Sequence, residues 1–151
     1  MIFMLTAPIQ SGKTTSLISW SAKRKDVHGI LTPVVGGKRV FMNAQTKDQF
    51  PMEATREEEE TLVVGRFVFS KPGFDQAIQI IRDSITKKGW LVLDEIGPLE
   101  IRGEGFCDVL KEVLSVRREK ILLVVRDGLT KQVKDAFVLP HVICIPSVSD
   151  I

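Results

Sequence analysis

The stretch Thr6-Ala7-Pro8-Ile9-Gln10-Ser11-Gly12-Lys13-Thr14-Thr15 constrains this chain more than any other part of it. An apolar run precedes it and a segment with helical potential follows, so it reads as strand, tight loop and helix. Such a loop wraps an anion in successive backbone N–H groups at a helix N-terminus, where the macrodipole already favours negative charge. Gly12 lets the backbone come close, Lys13 can reach outer phosphates, and Thr14 can offer its hydroxyl to a magnesium ion. Ala7 stands where the usual pattern opens with Gly, which narrows or stiffens the loop opening, and Pro8 removes one backbone donor.

The rest of the chain alternates apolar strands with amphipathic helices. Residues 14–24 read as a helix with Leu17, Ile18 and Ser21 on one face and the cluster Lys23-Arg24-Lys25 near its end, where cations suit the dipole. Residues 28–35 read as a strand, Gly36-Gly37 as a hairpin turn and residues 39–44 as the returning strand, with His28 bordering the first of these rather than serving chemistry. Residues 45–61 are polar, and Glu57-Glu58-Glu59-Glu60 point in too many directions for a metal cage, so they read as a solvated loop. Residues 62–69 read as one more strand. Phe74, Ala77, Ile78, Ile81 and Ile85 then recur at helical spacing up to a stop at Gly89.

Residues 90–93, Trp-Leu-Val-Leu, form an almost wholly apolar strand, as in a parallel sheet covered on both faces, and end in Asp94-Glu95. A helix carrying Phe106, Leu110, Val113 and Leu114 follows, then the apolar strand 121–125, Arg126, a short helix over 129–136 and a last strand over 141–145. This order predicts an α/β domain with a mostly parallel central sheet flanked by helices and a β-hairpin insertion after the first helix. No repeat, linker or second domain interrupts residues 1–151, which read as a single domain.

Composition narrows the partners. Twenty-one basic residues against nineteen acidic ones leave a formal charge of +2, no footprint for nucleic acid or an anionic membrane, so an anion site has to come from local geometry. Cys107 and Cys144 lie in apolar surroundings without metal-ligand spacing and read as buried free thiols of a reducing compartment. The N-terminal apolar stretch is too short for a signal peptide, and no run reaches the roughly 18 apolar residues of a membrane span. The expected location is the cytoplasm.

In sheets of this kind ligands bind beyond the carboxyl ends of the strands. Three ends stand out: the loop after Leu5, Asp94-Glu95 after Leu93, and Arg126 after Val125. A carboxylate at the end of an apolar strand is costly without a partner, and magnesium reached through its water shell supplies one. The next residue, Glu95, can orient or deprotonate a water. Arg126 sits where an arginine can sense a terminal phosphate and stabilise charge in the transition state, or merely pair with Asp127.

Pro8 to Thr15 with Leu17, and Leu91-Val92-Leu93-Asp94-Glu95-Ile96-Gly97-Pro98-Leu99-Glu100, resemble the small P-loop nucleoside-triphosphatase family first named from thermophiles, which includes the human cancer-related nucleoside-triphosphatase. The second motif is the more specific, because Asp-Glu-Ile-Gly-x-(Met/Leu)-Glu extends beyond a general Walker B signature. Fainter matches follow in the family's order at Gly29-Ile30-Leu31-Thr32, Gly37-Lys38-Arg39-Val40-Phe41 and Val64-Gly65-Arg66-Phe67.

The resemblance implies the P-loop branch with an extra catalytic glutamate, and magnesium-dependent hydrolysis of nucleoside triphosphates with little base preference. The loop Ala7, Pro8, Ile9, Gln10, Ser11, Gly12, Lys13, Thr14 and Thr15 would hold the phosphates. Thr14 and Asp94 would serve the metal, Asp94 from its second shell, and Glu95 would be the general base. Pro98 replaces a common Lys, and the family's Asn-Arg segment near the base is absent from Ser147-Val148-Ser149-Asp150-Ile151, which weakens base recognition. Two other functions fit the same loop: a small-molecule kinase, whose lid arginine would come from Arg39, Arg56 or Arg66, and a non-catalytic nucleotide-binding module that regulates a protein partner.

Overall fold

The structure, a computed structural model, describes residues 1–6, 12–54, 60–64, 67–139 and 141–151. The chain opens with β1 (Ile2–Leu5) and α1 (Lys13–Ala22), then β2 (Val27–Leu31), β3 (Val34–Val35), β4 (Lys38–Asn43) and β5 (Gln49–Pro51). Next come β6 (Thr61–Val64), β7 (Phe67–Ser70), α2 (Lys71–Ser84), β8 (Trp90–Ile96), α3 (Pro98–Ile101) and α4 (Cys107–Val116). The chain closes with β9 (Lys120–Val125), α5 (Thr130–Ala136), β10 (Ile143–Ile145) and a 3-10 turn, Val148–Asp150.

The main sheet runs β10-β1-β9-β8-β2-β4-β3, with β5 added on β4. Its five strands from β10 to β2 are parallel, and β4 turns antiparallel on β2. The expected α/β domain with a hairpin inserted after the first helix is therefore present. Parity along the strands explains its two-sided core. Leu91 and Leu93 of β8 join Phe74, Ala77 and Ile81 of α2 and Leu110 and Val113 of α4 on one face. Trp90 and Val92 join Leu17 of α1 and Val148 of the closing turn on the other.

The structure corrects several sequence expectations. Residues 28–35 are two strands rather than one, separated at Thr32-Pro33, and only β3 forms the Gly36-Gly37 hairpin. Residues 62–69 fold as the antiparallel pair β6 and β7. The Phe74 helix starts at Lys71, where the Ser70 hydroxyl accepts the Gly73 N–H at 3.0 Å, and stops at Ser84, ahead of Gly89. Residues 45–61 hold a strand, β5, because Phe50 is apolar enough to be buried against Phe41. Glu57, Glu58 and Glu59 lie outside the described residues. Cys107 is buried, but Cys144 is exposed: β10 is an edge strand, and only Ile145 of its three residues is covered.

Arg117 closes the base of the fold. This buried guanidinium pairs with no carboxylate among the described residues. It donates instead to the carbonyls of Ser84 (3.2 Å), Ile85 (3.0 Å), Lys87 (2.7 Å), Gly89 (2.7 Å) and Lys120 (3.1 Å). It thereby satisfies the free C-terminal carbonyls of α2 and the turn that leads into β8.

Candidate active site

The site forms at the carboxyl ends of β1, β8 and β9. Gly12 adopts φ 80° and ψ 18°, the left-handed region, and starts α1 without any side-chain cap. The first-turn N–H groups of that helix thus lack the partner a capping side chain would provide, which leaves them to an anion. Of the expected loop, Gly12, Lys13, Thr14 and Thr15 are described, whereas Ala7, Pro8, Ile9, Gln10 and Ser11 lie outside the described residues. Thr14 is half-buried and Thr15 exposed.

Asp94 and Glu95 belong to β8 itself rather than to a loop after it, which corrects the expectation that the strand ends at Leu93. By parity with Trp90 and Val92, Asp94 faces the α1 side of the sheet. The register on β9 then shifts: Asp94 pairs with Val124 and Ile96 with Val125, leaving Glu95 as an extra residue. Such a bulge re-aims a side chain. It returns Ile96 to the core face of Leu91 and Leu93 and frees Glu95 to meet Lys13 Nζ at 3.1 Å. The peptide between Asp94 and Glu95 is cis.

Asp94 is fully buried. Its Oδ2 accepts the Thr32 N–H at 3.1 Å, and its Oδ1 is buried with no hydrogen-bond partner among the described residues. Burial pushes its carboxyl up to about 6, the adjacent Glu95 charge adds to that, and the Thr32 N–H opposes it. An unpartnered carboxylate oxygen beside an uncapped helix start is a place for a cation and an anion together.

Glu100, the last residue of the Asp94-to-Glu100 motif, holds the backbone at the end of β8. It is 3% exposed and accepts the N–H of Gly97 at 2.8 Å and that of Phe106 at 2.9 Å. It thus ties the end of β8 to the starts of α3 and α4. Pro98 occupies the first position of α3, where a missing N–H costs nothing. Pro98-Leu99-Glu100 is the readable signal: proline at a helix start and a glutamate at its third position. Burial lifts Glu100 to about 7 against the pull of its two N–H donors.

Arg126 stands at the end of β9 as expected. Its N–H donates to the Ile96 carbonyl at 3.0 Å, and its side chain runs beside Gly97. It makes no ion pair with Asp127 or with any other carboxylate among the described residues. His28 is buried inside β2, with Nδ1 3.1 Å from Gln45 Oε1 and Nε2 3.2 Å from the Lys88 carbonyl, toward the opposite end of the strands. It plays no part in this site. Among the described residues no three His, Cys, Asp or Glu side chains gather to hold a metal.

Comparison with known proteins bears on the fold and the family. Two solved structures share the fold. The crystal structure of THEP1 from the hyperthermophile Aquifex aeolicus is 18% identical with a TM-score of 0.76, over 99% of this chain and 92% of that one. The solution structure of a human cancer-related nucleoside triphosphatase is 23% identical with a TM-score of 0.68, over 95% of this chain and 87% of that one. Both place this chain in the P-loop fold. No curated protein matches the sequence. The model of the NTPase family matches residues 2–143, nearly the whole length, and the chain belongs to that family.

Proposed function

We propose that the chain hydrolyses nucleoside 5′-triphosphates to diphosphate and phosphate, with magnesium, slowly and with broad tolerance of the base. The observation that carries this reading is the buried Oδ1 of Asp94, unpartnered among the described residues, beside the Lys13–Glu95 ion pair at the uncapped start of α1. Membership of the NTPase family supports it, and so does the likeness to the human cancer-related nucleoside triphosphatase.

The donor set suits magnesium. Thr14 and Asp94 offer hard oxygens, and magnesium is commonly held by one or two such groups plus substrate phosphates rather than by an all-protein cage. When bound, it would supply positive charge to the phosphate oxygens. In our reading the loop 7–15 cradles the phosphates through backbone N–H groups, and Lys13 leaves Glu95 to neutralise the outer phosphates. The freed Glu95 carboxylate takes a proton from water as the water oxygen bonds to the terminal phosphorus. The bond from phosphorus to the bridging oxygen breaks, and its electron pair stays on the diphosphate. Arg126, free of any carboxylate among the described residues, is assigned to the terminal phosphate as its sensor.

The resting Lys13–Glu95 pair occupies both functional groups at once, which fits slow turnover. We read the chain as one domain, since a single sheet carries every element of the site. No helix among the described residues is long and apolar enough to cross a membrane. Two free thiols fit the cytoplasm. Phosphate release is to be measured from ATP, GTP, CTP and UTP, with magnesium and with a chelator. We expect release from all four at rates within about tenfold of one another, abolished by the chelator. Absence of release from every triphosphate would end the proposal.

A further inference from the structure

Arg39 is the guanidinium that the reading above leaves unused. It lies on β4, in the inserted hairpin, yet the sheet order returns it to the carboxyl-end edge of the central strands. β4 pairs with β2, β2 pairs with β8, and Thr32, just past the end of β2, donates its N–H to Asp94 Oδ2. Arg39 Nη1 lies 3.4 Å from Thr32 Oγ1 and 3.5 Å from the Thr32 carbonyl oxygen. These contacts are long for hydrogen bonds, and both acceptors are neutral. The nearby Glu53 carboxylate accepts the Arg39 backbone N–H at 2.9 Å and forms no ion pair with the guanidinium. A half-buried arginine therefore faces the Asp94 edge with no carboxylate partner among the described residues.

The two flanks of β8 are thus unlike. On the β9–β1 flank the start of α1 brings Lys13 onto Glu95. On the β2–β4 flank no ligand-binding role has been assigned, and Arg39 brings the opposing cation. A guanidinium kept half-buried without a carboxylate forgoes its most favourable partner, and the partner it suits best is a planar or tetrahedral oxyanion gripped by two N–H groups.

We infer that Arg39 contacts the terminal phosphate of the bound nucleotide from the β2 side, opposite Lys13, as a charge-stabilising arginine supplied by the chain's own inserted hairpin. The inference rests on the triphosphate-hydrolysis reading. It assigns the hairpin to the reaction centre instead of to an acceptor lid, and it places a cation where charge grows on the departing phosphoryl group.

The experiment compares wild type, Arg39→Ala and Arg39→Lys. Affinities for ADP and for the non-hydrolysable imido analogue of ATP are measured with magnesium, beside kcat and KM for ATP and the thermal midpoint. Wild type should prefer the imido triphosphate, and Arg39→Ala should lose about tenfold of that preference while binding ADP unchanged. Its kcat should fall about a hundredfold while KM for ATP rises about tenfold with the lost triphosphate affinity, and millimolar guanidinium ion should restore part of kcat. Arg39→Lys should fall between the two. An unchanged preference, or equal losses for ADP and triphosphate, would overturn the inference. The second of these would mark Arg39 as a prop for Thr32. If wild type binds triphosphate in an Arg39-dependent way yet never releases phosphate, hydrolysis falls and the contact stands. If wild type turns over and Arg39→Ala does so equally well, the contact falls and hydrolysis stands.

Discussion

Replacing Glu100 by Gln tests whether this carboxylate holds the end of β8 as a largely protonated group. It is 3% exposed, and its oxygens take the N–H groups of Gly97 and Phe106. Gly105 leaves just enough room: a Cβ there would lie 2.1 Å from Glu100 Oε2. Burial raises the folded-state value from 4.5 to about 7, outweighing the two N–H bonds that favour the charged form. The native chain therefore retains a proton that the unfolded chain gives up across that window. The associated stability is fully present below 4.5 and is lost as pH rises through 7. A shift of this size corresponds to about 3 kcal/mol.

The assay is urea unfolding of wild type and Glu100→Gln at several pH values from 4.5 to 8. Asp94, also raised by burial, titrates in both proteins and cancels in their difference. The stability of wild type relative to the variant should shrink by about 3 kcal/mol between the acid and alkaline ends. Parallel curves, or a difference that grows with pH, would refute the reasoning.

Further outcomes follow from the same structure. Arg117→Ala should cost about 3 kcal/mol or more in urea unfolding, because it removes a charged donor from five backbone carbonyls, of which Ser84 keeps a second donor, the Lys87 N–H. Arg117→Lys should recover little, since an ammonium cannot reproduce the guanidinium fork. A loss under about 0.5 kcal/mol would show those carbonyls finding other donors. Arg126→Ala should lower kcat about tenfold or more with nucleotide affinity little changed, as read by steady-state phosphate release; unchanged turnover would remove Arg126 from the reaction.

The parts of the fold legible in the sequence are those written in local periodicity and loop chemistry. Gly12-Lys13-Thr14 reads as a helix start without tertiary knowledge, and the apolar runs before Asp94 and Arg126 announce buried parallel strands. Where function depends on register, the sequence is silent. Residues 91–96 look like an apolar run broken by two acids. Only pairing with β9 shows that Glu95 is an extra residue, and that the shift sends it toward Lys13. Arg39 and Asp94 are far apart in sequence and are each brought to Thr32 by β4–β2–β8 pairing, which no local pattern encodes.

Two further features have local signals. Gly65 lies between the apolar runs Leu62-Val63-Val64 and Phe67-Val68-Phe69 and is a turn signal in the sequence, and the two runs pair antiparallel. Exposed Cys144 follows from an edge strand too short to be covered on both sides. Arg117 offered no signal at all, because its partners are backbone carbonyls of another helix's end.

The central claim is that Glu95 takes the proton of the attacking water while Lys13 and the phosphate loop bind the nucleotide. One comparison tests it most directly: magnesium-dependent phosphate release by wild type and Glu95→Gln, with triphosphate affinity measured on the same samples. The account predicts that turnover in the variant falls by about a hundredfold or more. Its affinity should hold or rise, because the substitution frees Lys13 from the ion pair at 3.1 Å. A variant that turns over like wild type, or one that loses binding and turnover together, would contradict it.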